Sequence, residues 1–275
     1  MTALLAAAVA GRGLVDPAQP VFHPDDEALL RGAAAFETVR IRRGRPVLLQ
    51  PHVERLERSA LALRLPPPDG AAELALQAAE AAETDEGTLK LFRTGMTLLA
   101  TVGPLPPGLE GLRARGLAVV TVRVHNPGLL TGVKATSYAT ALAAVAAAEK
   151  QGADDAIYLG DGETVLEGTM SNIWWREGDV LVTPSLATGV LPGVTRGAVA
   201  ALARKAGYRV REGSFTLPAL LRAEEAFTSS AVREIMPVIA VDGREIPRGD
   251  AAGRLQSLLE QVGYEYPEAD GREAG

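Results

Sequence analysis

Hydrophobic positions along this chain alternate between the two-residue period of strands and the longer period of helices. Ala3 to Ala10 forms a short apolar run into Gly11-Arg12-Gly13 and reads as a buried first strand. Ala35 to Ile41 alternates, turns at Arg43-Gly44-Arg45-Pro46, and returns through Val47-Leu48-Leu49 as an expected hairpin. From Pro51 the positions Val53, Leu56, Ala60 and Leu63 fall on one helix face, until Pro66-Pro67-Pro68 ends it. A second helix is expected over Ala71 to Glu83 and a strand around Leu89 to Phe92.

Gly103-Pro104-Leu105-Pro106-Pro107-Gly108 is the sharpest break in composition. The reading is a smaller N-terminal domain over 1–113, a larger one over 114–266, and a loose tail from 267 to 275. Beyond the break a buried strand is expected at Ala118 to Val124 and an alanine-rich helix at Ala139 to Lys150. Strands at Ala156 to Leu159 and Thr164 to Leu166 are joined through Asp161-Gly162, and Ile173 to Trp175 pairs with Val180 to Val182 around Gly178-Asp179. A helix is expected from Thr195 to Lys205. Late strands hold Phe227 and Val238 to Val241, the last turning at Asp242-Gly243.

Composition narrows the classes. The 275 residues suffice for one large domain or two smaller ones, and 47% hydrophobic residues describe a packed protein. The net charge of −6 argues against a general nucleic-acid partner, which needs a basic surface. Without cysteine there is no disulfide, thiolate metal site or cysteine nucleophile. His23, His52 and His125 have no metal-ligand spacing. The opening run lacks a basic start, and no apolar run approaches the ~18 residues of a membrane span, so a cytoplasmic protein is expected.

The candidate chemistry centres on Lys134 and Glu167. A lysine amine can hold an aldehyde cofactor as a Schiff base, and a carboxylate can keep a pyridine nitrogen protonated. Leu191-Pro192-Gly193-Val194-Thr195-Arg196 precedes a helix, where free N–H groups suit a phosphate; taken alone, it reads as an ordinary helix start capped by Thr195. Arg55 offers a forked donor, although alone it reads as a solvated charge. Lys134 and Glu167 alone read as a surface lysine and a strand-end carboxylate.

Their order lifts them above these separate readings. Arg31-Gly32 with Phe36-Glu37-Thr38-Val39-Arg40 comes first, then His52-Val53-Glu54-Arg55-Leu56 and Gly132-Val133-Lys134. Glu167-Gly168-Thr169-Met170-Ser171-Asn172 follows, leading to Thr183-Pro184 and to Gly189 through Arg196. Glu224 to Ser230 with Glu234-Ile235-Met236-Pro237 completes the series. In this arrangement the chain resembles the class IV (fold-type IV) aminotransferase family of pyridoxal-phosphate enzymes, from about Gly11 to Gly243. That family contains branched-chain aminotransferases, D-amino acid transaminases and 4-amino-4-deoxychorismate lyases.

The resemblance implies an α/β fold of two domains, a small N-terminal one and a larger barrel-like one, with pyridoxal 5'-phosphate in the cleft of a homodimeric enzyme. It implies that Lys134 carries the cofactor and that Glu167 contacts the pyridine nitrogen. Arg55, the backbone at Val194 and Thr195, and Ser230 with its neighbour Ala231 would receive the phosphate, and Tyr138 would lie near the ring oxygen. Phe36 replaces the tyrosine with which D-amino acid transaminases typically trap a carboxylate. Leu91 to Thr97 lacks their Arg-x-His pair, and Phe36-Glu37-Thr38 is lyase-like where branched-chain enzymes read Phe-Glu-Gly. The expectation is therefore a lyase acting on 4-amino-4-deoxychorismate, with Arg40, Arg93 and Arg31 as candidate cations for the substrate carboxylates. A transaminase is the alternative, and a non-catalytic cofactor-binding protein a remote one.

Overall fold

The computed structural model describes residues 3–124 and 130–263, so His125 and the expected tail at 267–275 lie outside the described residues. The chain divides into two compact units. One runs to Pro107 and includes Val133–Ala139; the other holds Gly108–Gly132 and Thr140–Val262. The segment carrying Lys134 therefore groups with the N-terminal unit, a placement that a single boundary at 113/114 does not contain.

The first unit comprises β1 (Ala6–Val9), β2 (Gly13–Val15), α1 (Glu27–Arg31), β3 (Ala35–Arg42), β4 (Arg45–Pro46), α2 (Leu49–Ala62), α3 (Ala71–Ala81), β5 (Glu86–Arg93) and β6 (Leu98–Gly103). Its curled sheet runs β2-β1-β6-β5-β3-β4. Strand β3 alternates strictly between buried and half-buried positions, which puts Glu37, Val39 and Ile41 on one face and Phe36, Thr38 and Arg40 on the other. The first face packs against α2, and Val39, Ile41, Leu49, Val53, Leu56, Leu89 and Leu91 join one core. The expected return strand is cut short. Arg45–Pro46 alone pairs with β3, and Leu48, in a left-handed conformation (φ 53), opens α2. Pro51 in the first turn favours the helix because its missing N–H has no duty there.

The second unit comprises α4 (Leu109–Arg115), β7 (Leu117–Arg123), α5 (Ala139–Glu149), β8 (Asp155–Leu159), β9 (Val165–Gly168), β10 (Asn172–Glu177), β11 (Val180–Pro184), α6 (Val194–Ala203), β12 (Arg209–Gly213), α7 (Leu217–Leu220), β13 (Glu225–Ser230), β14 (Glu234–Val241), β15 (Arg244–Glu245) and α8 (Ala251–Leu259). The sheet order is β12-β11-β10-β13-β14-β7-β8-β9, with β15 attached to β14. This curled sheet mixes antiparallel pairs with parallel ones at β11/β12, β14/β7 and β7/β8. Trp174, Trp175 and Phe227 are fully buried, and Trp174 stacks on Phe227 with ring centroids 6.2 Å apart. Buried Glu225 on β13 accepts the first-turn N–H groups of Ala251 and Ala252 at 3.0 and 2.8 Å, capping α8 from a neighbouring strand. Among the described residues, no helix is long and apolar enough to cross a membrane.

Candidate active site

The candidate residues form two clusters, one within each unit. In the N-terminal unit Lys134 lies outside any helix or strand yet is held on both sides of its Cα. Its carbonyl accepts the Phe36 N–H at 3.0 Å, and its N–H donates to Ser59 Oγ at 3.1 Å. Ala135 bridges to Ala35, and the Thr136 N–H donates to the Ala34 carbonyl at 2.9 Å. The segment thus prolongs the edge of β3. The amine Nζ donates to Tyr138 Oη at 3.1 Å and lies 4.4 Å from the centroid of the Phe36 ring. Phe36 meets Tyr138 edge-on at 5.1 Å and stacks on Phe92 at 6.2 Å. An amine walled by rings and touching a phenol is suited to moving a proton.

Behind this cluster, on the opposite face of β3, Arg55 is buried and not solvated. Its Nε and Nη2 donate to the two Glu37 oxygens, both at 2.7 Å. His52, one turn earlier on α2, places Nδ1 2.6 Å from Glu37 Oε2. Burial alone would raise the Glu37 carboxyl. The charge and hydrogen bonds of Arg55, followed by those of His52, overcome it and lower the carboxyl from 4.5 to about 2. Burial pushes His52 below its ordinary 6.5, against the pull of Glu37 and with the help of the Arg55 and Lys134 cations. The imidazole is therefore neutral near pH 7, and its Nδ1–H donates to the ionised Glu37. Glu37, His52 and Ser59 were not singled out by the sequence reading as working residues. Their signal was present only as a polar stripe, His52, Arg55 and Ser59 at helical spacing, on an otherwise apolar face.

In the C-terminal unit Glu167 stands on β9. Its carboxylate accepts from Asn172 Nδ2 at 3.1 Å and from the Leu191 N–H at 3.2 and 3.1 Å. Asn172 Nδ2 also donates to the Leu191 carbonyl at 3.0 Å, so one amide ties the carboxylate to the loop before α6. The cap of α6 is Gly193, without a side-chain cap, and Thr195 sits inside the first turn instead of capping it. A Cβ at Gly193 would overlap the Asn172 side-chain oxygen, so only glycine lets the backbone come this close. Val194 and Thr195 thus lie at an uncapped helix start, the place where an anion is received. On β13, Ser229 accepts from Trp174 Nε1 at 3.0 Å, leaving half-buried Ser230 and Ala231 as the outer residues of that strand end.

The expected substrate cations are dispersed. Arg40 lies on the Phe36 face of the sheet, with Nε and Nη2 on Glu86 Oε2 at 3.0 and 2.6 Å. Arg93 is paired in register with Ala35, which assigns it to the Glu37 face, and its Nε donates to the Pro66 carbonyl at 2.8 Å. Burial lowers the Arg93 guanidinium from its ordinary value, and the charge of Asp69 partly offsets this. Arg31 pairs with Glu27 on α1. The sequence reading passed over Lys90. The β3/β5 register sets it opposite Thr38, two pairs along from Phe36–Phe92 and so on the same face. Alternation through Thr88-Leu89-Lys90-Leu91-Phe92 carried that signal, but its face was unknown without the register.

These residues suit pyridoxal 5'-phosphate. They offer an amine among rings, a carboxylate oriented by N–H donors, and an uncapped glycine-led helix start for a phosphate. An α/β fold carrying such groups fits a pyridoxal-phosphate enzyme, and the comparisons give that class. The chain belongs to the class IV amino-transferase family, whose model matches residues 34–241, and its cofactor is pyridoxal 5'-phosphate. It is 31% identical over 274 residues to the bifunctional aminodeoxychorismate lyase / D-amino acid transaminase of Mycobacterium tuberculosis, covering 90% of this chain and 95% of that protein. It is 31% identical over 260 residues to the aminodeoxychorismate lyase of Bacillus subtilis, covering 87% of each. Its fold matches the PLP-bound form of a hypothetical aminotransferase from Mycobacterium tuberculosis with a TM-score of 0.85 and 29% identity, covering 93% of this chain and 97% of that one.

Proposed function

We propose that this protein is a lyase that converts 4-amino-4-deoxychorismate to 4-aminobenzoate and pyruvate, acting as a cytoplasmic homodimer in folate biosynthesis. The observation that carries the reading is the sheet face beside Lys134. It offers Phe36, which has no hydroxyl, stacked on Phe92, with Lys90 two register pairs away on the same face. A flat apolar surface with a neighbouring cation suits a ring that bears carboxylates. Relatives named as aminodeoxychorismate lyases support the same choice.

Bound pyridoxal phosphate supplies an electron sink for carbon–hydrogen bond cleavage. Lys134 would hold the cofactor's aldehyde, and its Nζ, once free, would receive the proton from the amine-bearing ring carbon of the substrate. Tyr138 Oη, 3.1 Å from Nζ, orients the amine. Glu167, whose carboxylate accepts from Asn172 and the Leu191 N–H, would hold the pyridine proton. The N–H groups of Val194 and Thr195, Ser230 with Ala231, and Arg55, whose Nε and Nη2 are held by Glu37, would receive the phosphate. The enolpyruvyl C–O bond breaks, the released enol becomes pyruvate, and the ring becomes aromatic, so no keto acid is consumed.

The test is to supply purified, cofactor-loaded protein with 4-amino-4-deoxychorismate and no keto acid, following 4-aminobenzoate by fluorescence and pyruvate by a coupled assay. Equal catalytic release of both is expected. Absence of release, with D-alanine or L-leucine turning over against 2-oxoglutarate, would move the protein to the transaminases. The bifunctional relative favours D-amino acids as the second activity to try.

A further inference from the structure

Helix α2 carries a serine on its buried face. Ser59 is 1% exposed, and it follows His52 and Arg55 at seven and four residues' distance on one buried stripe. Serine is a weaker helix former than alanine, and a buried hydroxyl without a partner is costly. Here the hydroxyl oxygen accepts the Lys134 N–H across 75 residues of sequence. On the other side of the same Cα, the Lys134 carbonyl accepts from Phe36. Fixing both peptide planes that flank a residue sets the direction of its Cα–Cβ bond. The side-chain torsions then bring Nζ to Tyr138 Oη and the Phe36 ring.

We propose that Ser59 is a positioning residue for Lys134: through the amide of the lysine it sets where the amine is presented, without itself meeting substrate. The inference rests on Lys134 being the cofactor lysine and is indifferent to the choice between lyase and transaminase. Arg55 and Ser59 stand one turn apart on the same rigid helix, about 6 Å along its axis. The clamp on Arg55 by Glu37 and the grip on Lys134 by Ser59 therefore move together if α2 shifts.

The experiment compares wild type with Ser59→Ala, Ser59→Cys and Ser59→Thr. Cysteine keeps the volume but is a poor acceptor, and it serves where alanine does not fold; threonine keeps the hydroxyl. Three readouts are taken on the cofactor-loaded protein: hydrogen–deuterium exchange at the Lys134 amide, pH titration of the visible band of the lysine-bound cofactor, and kcat with KM. In the alanine and cysteine variants the Lys134 amide is expected to exchange on the order of tenfold faster and the visible titration to shift. kcat should fall on the order of 10- to 100-fold, the scale of a small misplacement, with KM within about twofold. Threonine is expected to restore all three. The proposal is overturned if amide exchange and the visible titration stay at wild-type values in both loss variants, or if threonine behaves like cysteine. Borohydride reduction followed by peptide mapping separates the two layers of inference. A pyridoxyl group on Lys134 in wild type upholds the premise, and one on another lysine removes it, and the proposal with it.

Discussion

The Lys134 cluster and the Glu167 cluster solve opposite problems with opposite materials. Around Lys134 the Phe36 and Tyr138 rings lie beside the side chain, and the backbone is hydrogen-bonded on both sides of the Cα. Around Glu167 the neighbours are N–H donors aimed at the carboxylate itself. The lysine is thus held through its backbone on both sides of its Cα, with Nζ donating to Tyr138 Oη, whereas at Glu167 the donors meet the carboxylate itself. That is the arrangement expected when one group must exchange protons and bonds and the other must hold a charge in place. The clusters also differ in reach. Glu167, Asn172, Leu191 and Gly193 lie within one stretch of chain, while Lys134 depends on Phe36 and Ser59, far away in sequence.

The largest expected effect breaks the comparison at its centre. Lys134→Ala is expected to lower turnover by roughly 10³-fold or more, the scale lost with a proton-transferring group, and Glu167→Gln by less. Stopped-flow and steady-state rates on cofactor-loaded variants check this, and full turnover in Lys134→Ala would refute the mechanism.

Glu37→Gln comes next. It leaves Arg55 buried without its counter-charge and is expected to cost about 3–5 kcal/mol in chemical denaturation. The folded carboxyl titrates at about 2 against an ordinary 4.5, so the stability it contributes is fully present above pH 4.5 and is lost as pH falls toward 2. His52 works in the same direction from a higher starting point. Its folded value is depressed below 6.5, so acidification below 6.5 favours the unfolded chain, whose imidazole takes up the proton more readily. Melting temperature should therefore fall with pH in wild type from about 6.5 downward, and Glu37→Gln should flatten the portion between 4.5 and 2. A wild-type melt that is level across this window would contradict the buried ionised Glu37.

Gly193→Ala is the smallest of the three and sharpens the other side. The new methyl meets the Asn172 amide, so a loss of about 1–3 kcal/mol is expected, together with weaker cofactor retention on dialysis.

Much of the fold could be read from periodicity. The buried strand at Ala6–Val9, the helix over Ala71–Ala81 and the hairpins around Asp161-Gly162 and Gly178-Asp179 all follow local rules. Strand β6 and helix α8 escaped the reading. Leu98 to Val102 is apolar but for Thr101 and shows no alternation, and Ala251 to Leu259 is capped from Glu225 on a distant strand. The site divides in the same way. Glu167 and the Gly193 turn are local patterns, so motif order reached them. Ser59, the buried Glu37 pair and Lys90 acquire their roles only through tertiary contacts and strand register, which spacing does not encode.

Both tryptophans of the chain, Trp174 and Trp175, sit fully buried on β10 in the C-terminal unit. Intrinsic tryptophan emission is therefore an optical label for one unit alone. An emission-monitored melt follows the Glu167 side and is blind to the loosening of β3 and α2, whereas far-ultraviolet circular dichroism sees both. The separation between those two curves measures directly how far the halves of this enzyme come apart as independent cooperative units.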